Sequence, residues 1–140
     1  MIRTIHVVFA VLFLCTSGVA SAEVSAYTCN VGHVYTLTKN GSLETMPVLE
    51  KIMKKSSFSV SRETGAFIGK STTLDTSLAK STRVINRGSK ENSFEATADF
   101  GDSENGTHPY QYIQVEEFNK GAEKPFVVMG EVGIVTGICK

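Results

Sequence analysis

The chain has 140 residues, of which 41% are hydrophobic and 20% charged, so it can bury a core of its own. Its 14 basic and 14 acidic side chains cancel, which speaks against a strongly basic nucleic-acid-binding protein and against an acidic disordered chain. This length suits one small domain.

The first 22 residues have the pattern of an export leader. Arg3 supplies a positive charge, residues 7–15 form an apolar run, and Ala20 and Ala22 frame a small-residue cleavage site. The apolar run is about half as long as the roughly 20 residues that a membrane-spanning helix needs. We therefore predict a signal peptide over 1–22, no stable membrane insertion, and a single domain over 23–140 in a bacterial periplasm or outside the cell.

Cleavage of the leader removes Cys15 and leaves Cys29 and Cys139. Two cysteines in an oxidising compartment predict a disulfide, here between the first and last segments of the domain. The alternatives are a redox site and a metal site. Neither is favoured, because the pair lacks the C-x-x-C spacing and has no histidine or cysteine partners at zinc spacing.

The first strand signal is an alternation of apolar and polar residues. It predicts one long strand, or two short strands bent at residues 30–32, with one face formed by Tyr27, Cys29, Val31, His33, Tyr35 and Leu37. Asn40 and Gly41 then offer a hairpin turn. Residues 47–55 place apolar side chains at helical spacing and predict an amphipathic helix of about two turns, with Thr45 as its N-cap and Pro47 in its first turn.

The rest of the chain alternates at a strand period. Phe58 and Val60 precede a hairpin at Thr64 and Gly65, residues 71–82 indicate an exposed loop or weak strand, and residues 81–87 and 93–100 indicate strands. The alternation slips by one position within 110–115. The slip indicates either a β-bulge near Tyr112 or a strand covered on both faces. The apolar runs 126–129 and 132–139 are typical of central strands.

These elements predict an all-β, mainly antiparallel domain. It is a small meander barrel or sandwich of about seven or eight strands with one short helix. A disulfide between the first and last strands favours a closed or nearly closed barrel.

The sequence carries no catalytic or metal-binding signature. The domain retains only His33 and His108, no serine lies in a G-x-S-x-G turn, and the adjacent Glu116 and Glu117 point to opposite faces of a strand. We predict a packed His33 and an exposed His108. The oxygen-rich segment of Asp99, Asp102, Glu104 and Asn105 departs from an EF-hand and is typical of a solvated turn. We predict no enzyme activity, no metal and no cofactor.

Charge is distributed unevenly along the chain. Residues 39–90 carry a net charge of +6 and residues 91–131 a net charge of −7. If these halves form opposite sides of the barrel, the domain is dipolar and can steer a charged partner or contact a second copy. The alternative is that the charges only solvate the surface. Oligomeric state stays open.

Aromatic side chains suggest two functions. The first is an exported, non-enzymatic β-barrel that binds a small, partly apolar ligand in an interior lined by aromatic residues, with the ligand-binding candidates Tyr27, Tyr35, Phe58, Tyr110 and Tyr112. The alternative is a protein-interaction module, such as an inhibitor of a secreted hydrolase or an envelope accessory protein. Core packing alone also explains these aromatic residues.

The segment Tyr27-Thr28-Cys29-Asn30-Val31-Gly32, together with Cys139, resembles the periplasmic lysozyme inhibitors of the C-type family. The resemblance implies a small β-barrel closed by a disulfide. The Ser-Gly-x-x-Tyr inhibitory loop of that family is missing, since the nearest stretch reads Thr64-Gly65-Ala66-Phe67. No inhibitory residues are carried over.

Overall fold

The predicted strands form one antiparallel sheet in a computed structural model that describes residues 25–140. The predicted signal peptide lies outside the described residues. In chain order the elements are β1 (Ala26–Leu37), β2 (Leu43–Thr45), α1 (Pro47–Met53), β3 (Ser57–Ser61), β4 (Phe67–Gly69), a 3₁₀ turn (Thr72–Leu74), β5 (Ser81–Arg87), β6 (Phe94–Asp99), β7 (Tyr110–Val115), β8 (Lys124–Gly130) and β9 (Gly133–Cys139).

The sheet curls into a half-barrel. Its strand order is β4-β3-β1-β9-β8-β7-β6-β5, with β2 paired to the far end of β1. The predicted class, an all-β antiparallel small barrel with one short helix, is confirmed. The first and last strands are neighbours in the middle of the sheet, and its two edges are β4 and β5.

The predicted disulfide joins β1 to β9. Cys29 and Cys139 are directly opposed in the register of these strands and are bonded to each other, 110 residues apart in sequence. Thr28 and Lys140 exchange backbone hydrogen bonds of 2.9 Å beside them. The cross-link therefore fastens the centre of the sheet, whereas β4 and β5 are not paired to each other.

Side chains and a turn connect the two edges. Gly65, in the turn between β3 and β4, has a φ of +75°, and a Cβ there would lie 2.8 Å from the Ala96 side chain on β6. Arg62 Nη2 donates a hydrogen bond of 3.2 Å to the carbonyl oxygen of Arg87 at the end of β5. These contacts thus hold the two edges of the half-barrel close together, although no ladder hydrogen bonds join β4 to β5.

Side chains fill the middle of the half-barrel. Tyr27 packs edge-on against Phe94 with ring centroids 5.3 Å apart, and Phe58 packs likewise against Phe126 at 5.3 Å. Phe67, Phe94, Ile113 and Val115 are fully buried among them. The core thus occupies the space that a hollow barrel would offer to a ligand.

The apolar face of β1 changes parity halfway along the strand. Tyr27, Cys29 and Val31 are buried, but the register with β9 shifts between Val31 and His33, and the next buried residue is Val34. A bulge adds one residue and turns all later side chains to the other face. The prediction of a packed His33 is therefore wrong: its side chain is 57% exposed.

The helix is shorter and less buried than its pattern predicts. It ends at Met53, and Met46 is its N-cap, with no side-chain capping bond. Thr45 does not serve as the cap, because it pairs with Tyr35 as the last residue of β2. Met53 is buried, whereas Val48 and Ile52 are 77% and 61% exposed.

The segment over residues 71–82 is partly buried, which corrects the prediction of an exposed loop. Leu74, the last residue of the 3₁₀ turn, enters the core. Thr76 donates its backbone N–H to the Phe67 carbonyl and accepts the Phe67 N–H on Oγ1, both at 2.9 Å. The segment thus covers the outer edge of β4, an edge that would otherwise expose unpaired backbone groups.

Candidate functional site

The five predicted ligand-binding residues lie in three different environments. Tyr27 and Phe58 are buried in the core. Tyr35 and Tyr112 lie half-buried on the outer face of the sheet. Tyr110 is exposed and lines a cavity at one end of the half-barrel.

Strand β7 has no bulge, and this decides which of its side chains point inward. Its pairing with β6 and with β8 runs without a register shift through Tyr112, so the bulge alternative is wrong. Ile113 and Val115 are buried and define the inner face. Gln111 shares their parity, so a polar side chain occupies an inward position at the end of the barrel.

A cavity of about 320 Å³, here called the end cavity, opens at this end. It lies where the 3₁₀ turn, the β6–β7 loop and the β8–β9 turn meet. Its lining residues are Thr73, Leu74, Phe100, Pro109, Tyr110, Gln111, Val128, Gly130, Glu131, Val132, Gly133 and Val135. The volume lies at the lower end of the range of roughly 300–1,000 Å³ that is usual for small-molecule sites.

Gln111 is the inward polar group of the end cavity. Its Nε2 donates a hydrogen bond of 2.9 Å to the Thr73 carbonyl oxygen. Its Oε1 is buried and accepts no hydrogen bond from the residues that the structure describes. An unsatisfied buried oxygen costs roughly 1–3 kcal/mol. Because this oxygen has almost no accessible surface, a donor in the cavity reaches it only when the Gln111 side chain turns.

Sequence reasoning missed Gln111 although the signal was present. The change of parity within 110–115 suggested a bulge or a strand covered on both faces, whereas Ile113 and Val115 set one continuous inner face that includes Gln111. A polar residue at an inward strand position breaks the alternation, and such breaks are typical of functional sites. Gly130 adds room, because a Cβ there would lie 3.1 Å from Gln111 Cγ.

A wider groove of about 530 Å³ runs along the outer face between β1 and β7. Gln114 lies in this groove, but both ends of its amide are already paired: Nε2 donates to Ser93 Oγ at 3.1 Å, and Oε1 accepts from the Tyr112 hydroxyl at 3.2 Å. The groove therefore lacks the unpaired inward acceptor of the end cavity. We take the end cavity as the candidate site.

The outer face of the sheet carries a second feature, an apolar row across four strands. The cross-strand partners Tyr35, Ile134, Met129 and Tyr112 follow one another on β1, β9, β8 and β7. Met129 is 44% exposed. Burial and the neighbouring Glu95 carboxylate raise the pKa of Tyr112. We call these four residues the outer row.

The β6–β7 loop beside the end cavity is held by a histidine. His108 Nε2 lies 3.0 Å from Asp99 Oδ1, and its Nδ1 lies 2.9 Å from Asp102 Oδ1. Phe100 and Pro109, which line the cavity, flank this clamp and share a backbone hydrogen bond of 3.2 Å. Within residues 25–140 no group of three or more histidine, cysteine, aspartate or glutamate side chains could hold a metal ion.

The clamp makes the loop sensitive to pH. The hydrogen bond with Asp102, and then the charge of Asp99, raise the pKa of His108 above its ordinary value of 6.5. Protonated His108 therefore stabilises the folded loop; this contribution is complete below about pH 6.5 and is lost as the pH rises through the raised pKa. In an NMR titration, Asp102→Asn should lower the pKa of His108.

The control for this titration is Glu104→Gln, which removes an exposed carboxylate from the same loop and should leave the pKa of His108 unchanged. An unaltered pKa in Asp102→Asn would rule out the clamp.

Comparison of the chain with protein-family models, curated proteins and solved structures finds no match. The resemblance to the lysozyme inhibitors thus rests on residues 27–32 and Cys139 alone. Over the described part of the chain, no helix is both long and apolar enough to span a membrane.

Proposed function

We propose that the protein is an exported, non-enzymatic domain that binds a small, partly apolar molecule in the end cavity. The observation that carries this proposal is the end cavity itself, about 320 Å³ in volume, with a mainly apolar lining and one inward polar side chain, Gln111. Pockets with apolar walls and a few placed polar groups are typical of small-molecule sites. Export is supported by the leader pattern and by the disulfide, which persists in oxidising compartments.

The proposed site differs from the aromatic interior that the sequence suggests. Tyr27 and Phe58 fill the core, so the ligand is placed at the end of the half-barrel and contacts Tyr110. Apolar contacts come from Leu74, Phe100 and Val132. Gln111 supplies the inward polar side chain toward which the polar end of the molecule is oriented.

The proposal is tested with 1-hexanol, a probe with one hydroxyl donor and an apolar tail. We expect a saturable titration by NMR, with shifts in the backbone amides around Gln111 and Val132. Val132→Trp fills the end cavity and should abolish the titration. Val48→Trp adds the same bulk at an exposed position on α1 and should preserve it. A titration that survives Val132→Trp unchanged, or wild-type protein that shows none, rejects the site.

A second candidate function is recognition of a basic exported protein by the outer row. Exposed apolar patches on small soluble domains often mark protein-binding surfaces. On the β6 and β7 side of the outer row, the acidic Glu95 on β6 and Glu116 just after β7 outnumber the basic Arg83 on β5, which lies opposite Thr97 in the register. A partner with an apolar centre and a basic rim would complement this face.

This candidate is tested by cross-linking the protein in its native compartment. Met129→Lys places a positive charge in the outer row and should abolish a specific cross-linked complex with a basic protein. Leu78→Lys makes the same change at an exposed position outside the row and should preserve the complex. Equal cross-linking in both variants would contradict recognition by the outer row.

A further inference from the structure

Helix α1 carries an exposed apolar surface on its outer side. Its residues line a shallow depression of about 440 Å³ and are all apolar: Met46, Pro47, Val48, Leu49 and Ile52. We call these five residues the helix patch. Met46 and Leu49 pack partly against the core, whereas Val48 and Ile52 extend into solvent. Water therefore covers the apolar side chains of Val48 and Ile52, and a partner that covers them instead gains their burial.

Two lysines border the helix patch. Residues three and four positions apart lie on the same side of a helix, so Lys51 shares the outer side of α1 with Val48. Lys55 is exposed in the turn that follows the helix, four residues after Lys51. Within residues 25–140 neither lysine forms an ion pair with a carboxylate. Both positive charges are thus available beside the helix patch.

The carboxylate of α1 points the other way. Glu50 Oε2 accepts the backbone N–H of Val34 on β1 at 3.3 Å and lies 3.4 Å from His33 Nδ1. Its Oε1 lies 2.6 Å from Lys54 Nζ. The negative charge of the helix is therefore turned toward β1 and is met there by a lysine. The outer side of α1 is left apolar and positively charged.

We infer that the helix patch docks onto a membrane surface rich in anionic phospholipid. Apolar side chains bordered by lysines are typical of helices that lie in the headgroup region of a bilayer, where the lysines meet lipid phosphates. Because α1 has only seven residues, it buries few side chains, and the contact is peripheral and reversible.

The shape of the helix patch favours a lipid surface over a protein segment. All of its lining residues fall within 46–52, so no second element of the described chain forms an opposite wall. Peptide-binding sites are usually grooves or sheet edges, whereas a single exposed helix face is a ridge that can settle among headgroups. No residue of α1 lines the end cavity, so lipid contact and ligand binding can fail independently.

A fluorescence experiment tests the contact at the helix patch itself. The chain has no tryptophan, so Val48→Trp introduces a single reporter. We expect its emission to shift to shorter wavelength with vesicles of phosphatidylglycerol and phosphatidylcholine in equal parts, and not with vesicles of phosphatidylcholine alone. Leu78→Trp places the same reporter at an exposed position away from α1 and should show no shift with either vesicle.

Co-sedimentation tests the role of charge without an added tryptophan. Lys51→Glu should reduce binding to the phosphatidylglycerol vesicles by about tenfold relative to the wild-type protein, since each basic side chain near an anionic surface adds to the attraction. Lys90→Glu makes the same change in the exposed turn between β5 and β6 and should bind like the wild-type protein. High salt should release the wild-type protein.

Four results would overturn the inference. They are absence of binding to the phosphatidylglycerol vesicles, equal emission shifts with both kinds of vesicle, an equal shift in Leu78→Trp, and equal binding of Lys51→Glu and Lys90→Glu. None of these results bears on the end cavity, which the hexanol titration tests separately.

Discussion

Replacing Cys29 and Cys139 together by alanine should lower the free energy of unfolding by about 4–5 kcal/mol. The disulfide closes a loop of 110 residues, and the loss of chain entropy in the unfolded state grows with loop length. This is a large part of the stability of about 5–15 kcal/mol that is usual for a small domain. Urea denaturation followed by circular dichroism measures the change.

The matched control is the wild-type protein with its disulfide reduced, which should unfold at the same urea concentration as the double variant. A thiol assay supplies an independent check: the denatured, non-reduced domain should show no free thiol. Two reactive thiols, or a double variant as stable as the oxidised wild type, would contradict a structural cross-link between β1 and β9.

Glu117→Ala should destabilise the domain by about 2 kcal/mol, because this carboxylate joins three parts of the half-barrel. Its Oε2 accepts a hydrogen bond of 2.6 Å from the Tyr27 hydroxyl on β1, and its Oε1 lies 3.7 Å from Arg62 Nη1, just after β3. The Arg62 guanidinium also lies 5.3 Å from the centre of the Tyr27 ring. In Glu117→Ala, the largely buried guanidinium of Arg62 no longer has the Glu117 carboxylate beside it.

The neighbouring residue supplies the control. Glu116 is the adjacent carboxylate and lines the groove on the outer face, so Glu116→Ala should change stability by no more than about 0.5 kcal/mol. Urea midpoints of the two variants measured side by side give the comparison. Equal losses would mean that Glu117 contributes no more than a surface charge.

The strands were largely predictable because alternation records which side of a strand is buried. Strand β6 is the clearest case, with Phe94, Ala96 and Ala98 all buried. Strand β1 shows the limit: residues 30–32 indicated a bend but not a bulge, and the single extra residue after Val31 turned His33 and Tyr35 outward. Helix α1 was found by its spacing, but spacing alone could not indicate that Val48 stays exposed.

The candidate site was harder to predict than the fold, because a residue pattern does not record how much of the interior volume the side chains fill. Alternation identified Tyr27 and Phe58 as inward-facing residues, but it cannot tell whether the space between inward side chains is filled. Here Phe94 and Phe126 fill it. The end cavity arises where three loops and turns meet, and such a junction leaves no periodic signal in the sequence. Its one signature was the inward glutamine of β7.

The uneven distribution of charge along the chain still predicts a dipolar domain. Residues 39–90 include both edges of the half-barrel, β4 and β5, together with α1, whereas residues 91–131 include β6, β7 and β8. The acidic part of the chain thus provides the strands and loops on one side of the end cavity.

Native mass spectrometry of the protein purified from its own source tests the central claim most directly. We predict a fraction of molecules heavier than the polypeptide by one small molecule, which gentle collisional activation releases, and only the polypeptide mass for Val132→Trp expressed in the same host. Val48→Trp should retain the additional mass. Polypeptide mass alone for the wild-type protein, or an adduct that persists in Val132→Trp, would contradict a ligand in the end cavity.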